Sequence, residues 1–297
     1  ANIRALLPVV MELAQVRGDT TLYTKLNDLV GKLPELPTTT RDGVPTFAWS
    51  AISRDAGYNE ENPDLDAIWP ANAIGDASAP ALVQLAQNTL DKRVFRETYD
   101  WHPTTIQAAR MGRADIYQSA LLSGIEKFLV YSQGFSSWNG ASGNQDINTE
   151  FIAVQSYAAH EALIQNYDGL LRFANAWPSN WEAIAWLPTE GGHWIGLEVV
   201  AGNLQSATVD LGSSSPAMRI RNPWPGQAFS ISDLTAATQL HSGSQAIGTV
   251  TAIKGHRLLI EKISKPLSSF SYQSIVDYPN NGPISLGSRS FGKAAAR

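Results

Sequence analysis

Residues 149–173 read TEFIAVQSYAAHEALIQNYDGLLRF, and the fold turns on this stretch. Ile152, Val154, Tyr157 and Leu163 give its first part an apolar helical face, which predicts a helix over 149–165. After Asp168-Gly169 the pattern changes. Short alternating segments follow at 170–173, 181–187, 193–200, 207–211, 217–220, 228–231, 246–253 and 257–263. Gly, Pro, Asn and Ser bound them at spacings typical of a β-sandwich.

Upstream of the switch the chain reads as helices. Leu6, Leu7, Val10, Leu13 and Ala14 share one face over 3–16, with Pro8 predicted to kink the first turns. Gly18 ends this helix, and Thr20 or Thr21 caps the next, which Gly31, Pro34 and Pro37 stop. Residues 38–78 read as a long polar loop region, a length that points to function. Pro80 opens another helix, with Leu82, Leu85, Ala86 and Leu90 on its face. Further helices start near Pro103 and at Asp115, and residues 134–148 form a Gly/Ser/Asn-rich loop before the helix at 149. Six helices are therefore expected in an α+β chain of two domains. The boundaries are 1–167 for the helical portion and 168–297 for an antiparallel β-sandwich, with a loosely attached tail from Ser268.

Composition narrows the function. Of 297 residues, 43% are hydrophobic and 16% charged, as in a packed protein. The net charge of −5 argues against a nucleic-acid binder, which needs a basic stripe. No apolar run of about 18 residues is present, so no membrane span is expected. The chain has no cysteine, which removes disulfides and a catalytic thiol. Its five histidines lack metal-ligand spacing, so neither a metal nor a cofactor is expected. The first residue is Ala1 rather than Met, which reads as a processed product or a piece. Nine Trp are spread singly, mostly through loops, a pattern that suits sugar clefts as well as ordinary core anchoring.

Four loop segments carry the polar groups. Asn59-Glu60-Glu61-Asn62-Pro63-Asp64-Leu65-Asp66 places four carboxylates in eight residues, with Trp69-Pro70 beyond. Such groups are solvated, bound to a cation, or split in pKa by burial. Tyr99-Asp100-Trp101-His102 precedes a helix, where His102 either binds substrate hydroxyls or anchors the helix start. Trp138-Asn139-Gly140 is followed by Gln145-Asp146, with Asp146 either a helix cap or an amide-flanked general base. Trp177-Pro178 with Trp181 reads as a plug at the helix-to-strand junction.

In order and spacing these blocks resemble glycoside hydrolase family 95, the α-L-fucosidase type, and its bacterial relatives. Asn59-x-Glu61-Asn62-Pro63-x-Leu65 is similar to the N-x-E-N-P-x-L segment of that family, and WHPTTIQAARMG at 101–112 to its W-x-x-x-x-I-Q-A-A-x-x-G helix. Gln145-Asp146, EALIQNYDG at 161–169 and AWPSNW at 176–181 resemble later blocks. The match spans residues 1 to about 225. It implies the C-terminal half of an (α/α)6 barrel followed by the sandwich, and an inverting glycosidase acting on a poly- or oligosaccharide. The base position falls on Asp146, as base or as the carboxylate that orients it. Glu60 or Glu61 is then a second carboxylate, and Asn59, Trp101, His102, Trp138, Asn139 and Gln145 are substrate-binding candidates. The sugar-binding histidines of true fucosidases fall near 59–64, where this sequence has none.

The base Asn and acid Glu of the family lie upstream of the matched region. An N-terminal portion or second chain is therefore expected to complete the barrel. The substrate class implies a secreted or periplasmic protein. The competing expectation is a non-catalytic carbohydrate-binding or structural protein on the same scaffold. A polysaccharide lyase using Tyr58, Tyr99 or His102 is less favoured.

Overall fold

The computed structural model describes residues 1–52, 61–96, 99–131, 134–138, 140, 147–267, 284–286 and 289–291. The tail expected from Ser268 lies mostly outside these residues. The predicted helices form as α1 (Asn2–Val16), α2 (Thr20–Lys32), α3 (Pro80–Asp91), α4 (Thr104–Arg110), α5 (Ala114–Phe128) and α6 (Glu150–Leu163). Helix α1 runs unbroken through Pro8. Gly18 (φ +69°) turns the chain, and Asp19 caps α2 by accepting from the Leu22 N–H at 2.9 Å. Helices α1 and α2 pack on each other, while α4 packs between α5 and α6. Every residue of α4 is buried.

The region read as a polar loop contains a hairpin, β1 (Thr38–Arg41) with β2 (Val44–Phe47). Its turn is Asp42-Gly43, both at positive φ, the conformation that two-residue hairpins favour. Helix α3 covers it. The Phe47 N–H donates to Thr89 Oγ1 at 2.8 Å, and Asn88 Nδ2 donates to the Pro45 carbonyl at 3.0 Å. Leu65, Ile68, Ile74, Leu90, Ile106 and Tyr117 belong to the core of this helical half.

A second Asp-Gly pair, Asp168-Gly169, also at positive φ, joins β3 (Ile164–Tyr167) to β4 (Leu170–Phe173). Residues 164–167 therefore leave the helix earlier than the periodicity predicts. The remaining strands are β5 (Ala183–Thr189), β6 (His193–Val200), β7 (Asn203–Asp210), β8 (Ser215–Arg221), β9 (Phe229–Asp233), β10 (Thr238–Gly243), β11 (Ile247–Ala252) and β12 (Arg257–Lys262). A small pair, β13 (Ile284–Leu286) and β14 (Arg289–Phe291), follows.

The large sheet runs β10-β9-β12-β7-β6-β5 and the smaller β11-β8-β4-β3. Side chains of both, among them Ile164, Leu171, Ile195, Val209, Ile220, Val250 and Ile260, form one core. The expectation of a wholly antiparallel sandwich is corrected at one place: β4 and β8 pair in parallel, Leu171 opposite Ile220. Parallel neighbours need a long connection, and here the chain passes through three strands of the other sheet between them.

The two halves are joined by charge and aromatic packing. The Tyr167 ring lies between two guanidinium groups, with Arg110 at 4.3 Å and Arg172 at 4.4 Å from its centroid. Arg110 of α4 donates twice to Glu161 of α6, at 2.8 and 3.0 Å. Arg172 of β4 is fully buried and donates to both oxygens of Asp168 at 3.0 Å and to Asp76 at 2.8 Å. Arg221 of β8 reaches Asp76 at 2.7 Å. Burial pushes the Tyr167 hydroxyl up to about 12, so it stays neutral. Trp177 packs against both cores, which fits its reading as a plug.

Candidate functional site

The described carboxylates of the acidic segment, Glu61, Asp64 and Asp66, take separate partners. Asp64 is buried against Arg41 in an ion pair, and desolvation outweighs that partner and pushes its carboxyl up. Asp66 is also pushed up, by burial first, and accepts from Asn2 Nδ2 at 3.3 Å. Glu61 is exposed and accepts from the Trp101 indole N–H at 2.8 Å. Asn62 is a staple at positive φ. It donates to the Phe95 carbonyl at 2.8 Å and accepts from the Phe95 N–H at 3.1 Å. Four neighbours thus point to four different partners. Among the described residues no group of His, Asp and Glu converges in a way that could hold a metal ion.

Glu61 fixes an aromatic corner. Tyr99 stacks on Trp101 with centroids 5.0 Å apart and planes 9° from parallel. Trp138 meets Trp101 edge to face at 4.5 Å and 82°. Trp101, Trp138 and Glu61 line an open recess of about 430 Å3 together with Glu150, Ala153 and Val154 of α6. Trp138 is 44% exposed, a large apolar face left to solvent. An indole face, a second indole edge and two carboxylates suit a polyol ring. In such a ring the apolar C–H face would pack on the aromatic, and the hydroxyls would donate to the acids.

Behind the wall lies Asp100, which is buried and takes a hydrogen bond from Ser136 Oγ at 3.1 Å. Desolvation pushes its carboxyl up, and the charge of Glu150 adds to this. Ser136 pairs with Asn148 backbone to backbone, and Asn148 Oδ1 accepts from the Glu150 N–H at 2.7 Å. The chain of contacts from Asp100 to Glu150 sets the start of α6 against the recess. Glu150 and Asp100 were not singled out in the sequence. The available signals were the position of Glu150 at a helix start two residues after Asn148, and the lone carboxylate within Tyr99-Asp100-Trp101-His102.

His102 is buried with both ring nitrogens engaged. The Asn62 Nδ2, whose amide is fixed by the Phe95 backbone, lies 3.3 Å from Nε2. Nδ1 accepts from the Thr104 N–H at 3.3 Å and lies 2.6 Å from Thr104 Oγ1. The structure thus places Glu61, Trp101 and Trp138 together on the recess and His102 beneath it. Asn59, Glu60, Asn139, Gln145 and Asp146 lie outside the described residues, as does Tyr58.

Within the blocks that carry the family resemblance, three residues hold the fold. Arg110 and Glu161 clamp two helices, and Asp168 holds Arg172. No protein-family model matches the chain, and no curated protein does. Among solved structures it is similar to a GH127 β-arabinofuranosidase, with 11% identity and a TM-score of 0.28 over 86% of this chain and 41% of that one. It is also similar to a GH127 β-L-arabinofuranosidase from Geobacillus stearothermophilus T6, with 12% identity and a TM-score of 0.24 over 88% and 42%. The chain spans about two fifths of the length of these glycoside hydrolases. They belong to family 127 and not to family 95, and at such TM-scores the likeness carries neither the barrel half nor a reaction.

Proposed function

We propose that this chain is a portion of a glycoside hydrolase, related to the family 95 type, whose recess at Trp101 and Trp138 holds one residue of a poly- or oligosaccharide. The observation that carries this reading is the edge-to-face indole pair locked by Glu61 beside an open, carboxylate-flanked recess. Asp146 is the base or orients it. In the sequence it is bracketed by Trp138 and Glu150, both on the recess. Glu60 or Glu61 serves as a second carboxylate, and Asn59, Asn139 and Gln145 supply amides to the sugar. For an inverting reaction the acid and base carboxyls stand about 6.5–9.5 Å apart.

The same proposal takes residues 1–167 as half of a helical toroid, 168–297 as the sandwich domain, and the protein as secreted or periplasmic. An N-terminal portion or second chain completes the toroid and brings the acid. In support, Ile3, Leu6, Val9, Leu13 and Val16 form an exposed apolar row along α1, each more than half exposed. Native mass reads this part directly. Copurification with a second chain that restores turnover supports it, and a 32.2 kDa monomer with full turnover removes it.

The test of the site uses aryl glycosides, α-L-fucoside and β-L-arabinofuranoside among them, together with neutral polysaccharides. Trp101→Ala is expected to weaken binding roughly tenfold. Asp146→Asn is expected to abolish turnover and spare binding. Full turnover in Asp146→Asn removes the assignment. The non-catalytic alternative is favoured by one observation, that Glu61 spends an oxygen on orienting Trp101. It predicts glycan binding without turnover that survives Asp146→Ala.

A further inference from the structure

A second cleft opens at one end of the sandwich and shares no residue with the recess. The turns after β5, β7, β9 and β11 converge on it, and its volume is about 570 Å3, within the range of small-molecule sites. Glycines at 192, 212 and 255 keep its rim low. Its floor follows from strand register. Trp194 on β6 lies opposite Asp210 on β7, which lies opposite Arg257 on β12, so the three side chains stand in a row on one face. Trp194 is 43% exposed and stacks on Trp186 at 5.8 Å and 18°. The second indole fixes the plane of the first, and the outer face of Trp194 is left to the cleft.

The polar groups come as neutralised pairs. Arg257 forms a bidentate pair with Asp210, its Nη2 reaching Oδ2 at 2.7 Å, and both side chains are about one third exposed. His256 Nδ1 is committed to Asp233 Oδ2 at 2.7 Å. Asp233 Oδ1 in turn accepts from the N–H groups of Thr235 and Ala236, both at 2.9 Å. Burial pushes the Asp233 carboxyl up, but His256 and these donors outweigh it and hold it below the usual range. No hydrogen bond to His256 Nε2 occurs among the described residues, and the ring lines the cleft. Arg257 and His256 thus each face a carboxylate. A phosphate or other anion would find no net positive charge here, whereas a neutral polyol finds donors and acceptors side by side. Leu234 and the Trp194 face supply the apolar contact that the C–H face of a sugar ring needs.

We propose that this cleft is a second carbohydrate-binding site, taking one neutral sugar residue of a glycan chain on Trp194 with hydroxyls at Asp210, Arg257 and His256. It goes beyond the recess reading and stands on different residues.

The test is calorimetric titration of the full chain with arabinan and xylan as neutral probes, and polygalacturonate and inorganic phosphate as anionic ones. Wild type is compared with Trp194→Ala, His256→Ala and Trp101→Ala, each checked for an unchanged thermal transition. Trp194→Ala is expected to weaken neutral-glycan binding at the cleft about tenfold, and His256→Ala a few-fold. Should Trp194→Ala fail to fold, Trp194→Phe serves, with a smaller loss and rescue of the transition. Binding abolished by Trp101→Ala but untouched by Trp194→Ala and His256→Ala overturns the cleft and leaves the recess standing. The reverse pattern overturns the recess and supports the cleft. Binding of phosphate or polygalacturonate in preference to the neutral polymers, or no binding of any neutral glycan, overturns the proposal.

Discussion

The recess and the cleft both present a pair of tryptophans, and they hold them by different means. At the recess Trp101 and Trp138 come from separate loops and meet at 82°, and a side-chain hydrogen bond from Trp101 to Glu61 fixes the corner. At the cleft Trp186 and Trp194 lie on neighbouring antiparallel strands and stack at 18°, because residues of equal parity on β5 and β6 share a face. A loop site gains shape and depth from its individual contacts. A sheet site gains flatness from register, and each strand adds one side chain to the row. The carboxylates differ as well. Behind the recess, buried Asp100 takes a hydrogen bond from the Ser136 hydroxyl, whereas Asp233 under the cleft has an imidazole and two backbone donors.

The largest effect should come from cutting the link between the two regions. Arg172→Ala removes a fully buried guanidinium and should cost about 2–4 kcal/mol, because Asp168 is partly exposed and Asp76 keeps Arg221. Urea unfolding followed by both tryptophan fluorescence and far-ultraviolet dichroism checks it. If only one probe shifts, the halves are energetically independent and the junction is not what holds them.

A smaller effect isolates the cleft. A Cβ on Gly212 would run into the Gly192 carbonyl, a backbone contact with nowhere to go. Gly212→Ala should cost about 1–3 kcal/mol and distort the rim. Ligand binding at the recess should be untouched, as titration of the Gly212→Ala and Trp101→Ala variants side by side would show. Equal loss at both sites would mean that the recess depends on the sandwich.

The smallest effect concerns pH and has opposite signs in the two regions. Burial raises the folded-state pKa of Asp100 above its unfolded value. Between those values the folded chain holds the proton more tightly, so stability falls as pH rises through that window. Asp100→Asn should remove that slope and gain most above it. Asp233 is shifted down, so its contribution is present above its unfolded value and is lost as pH falls through the folded one. Asp233→Asn should therefore lose stability at neutral pH. Thermal midpoints of the two variants between pH 3 and pH 7 should diverge from wild type in opposite directions.

How far the sequence was legible depended on whether an element buries a face. Strand β6 coincides with the alternation at 193–200, because alternate residues such as Ile195, Leu197 and Val199 enter the core, and β4 coincides with 170–173, where every residue is buried. The hairpin of β1 and β2 carries no such period, since Thr38, Thr39 and Thr40 bury little. Its only signal was Asp42-Gly43. Strand β10, TQLHSG, was missed for the same reason: it is a polar edge strand, broken by a bulge at Gln239/His241. At the recess the aromatic residues were legible as candidates from their isolation in loops. The duties of Glu61, Asp100 and Glu150 were not, because their partners lie 36 to 40 residues away or on another element.

The sequence by itself determined the succession of the six helices, the switch from helix to strand near Asp168-Gly169, and the supply of aromatic and acidic side chains to the loops. Those features are local: a helical or strand period and a turn pair depend on residues a few positions apart. Only the tertiary structure decided that Asp64 pairs with Arg41, that Tyr167 sits between Arg110 and Arg172, and that Trp194, Asp210 and Arg257 form one row. Each of these joins residues from different elements. Their meeting is set by core packing and strand register, and no local pattern in the chain encodes it.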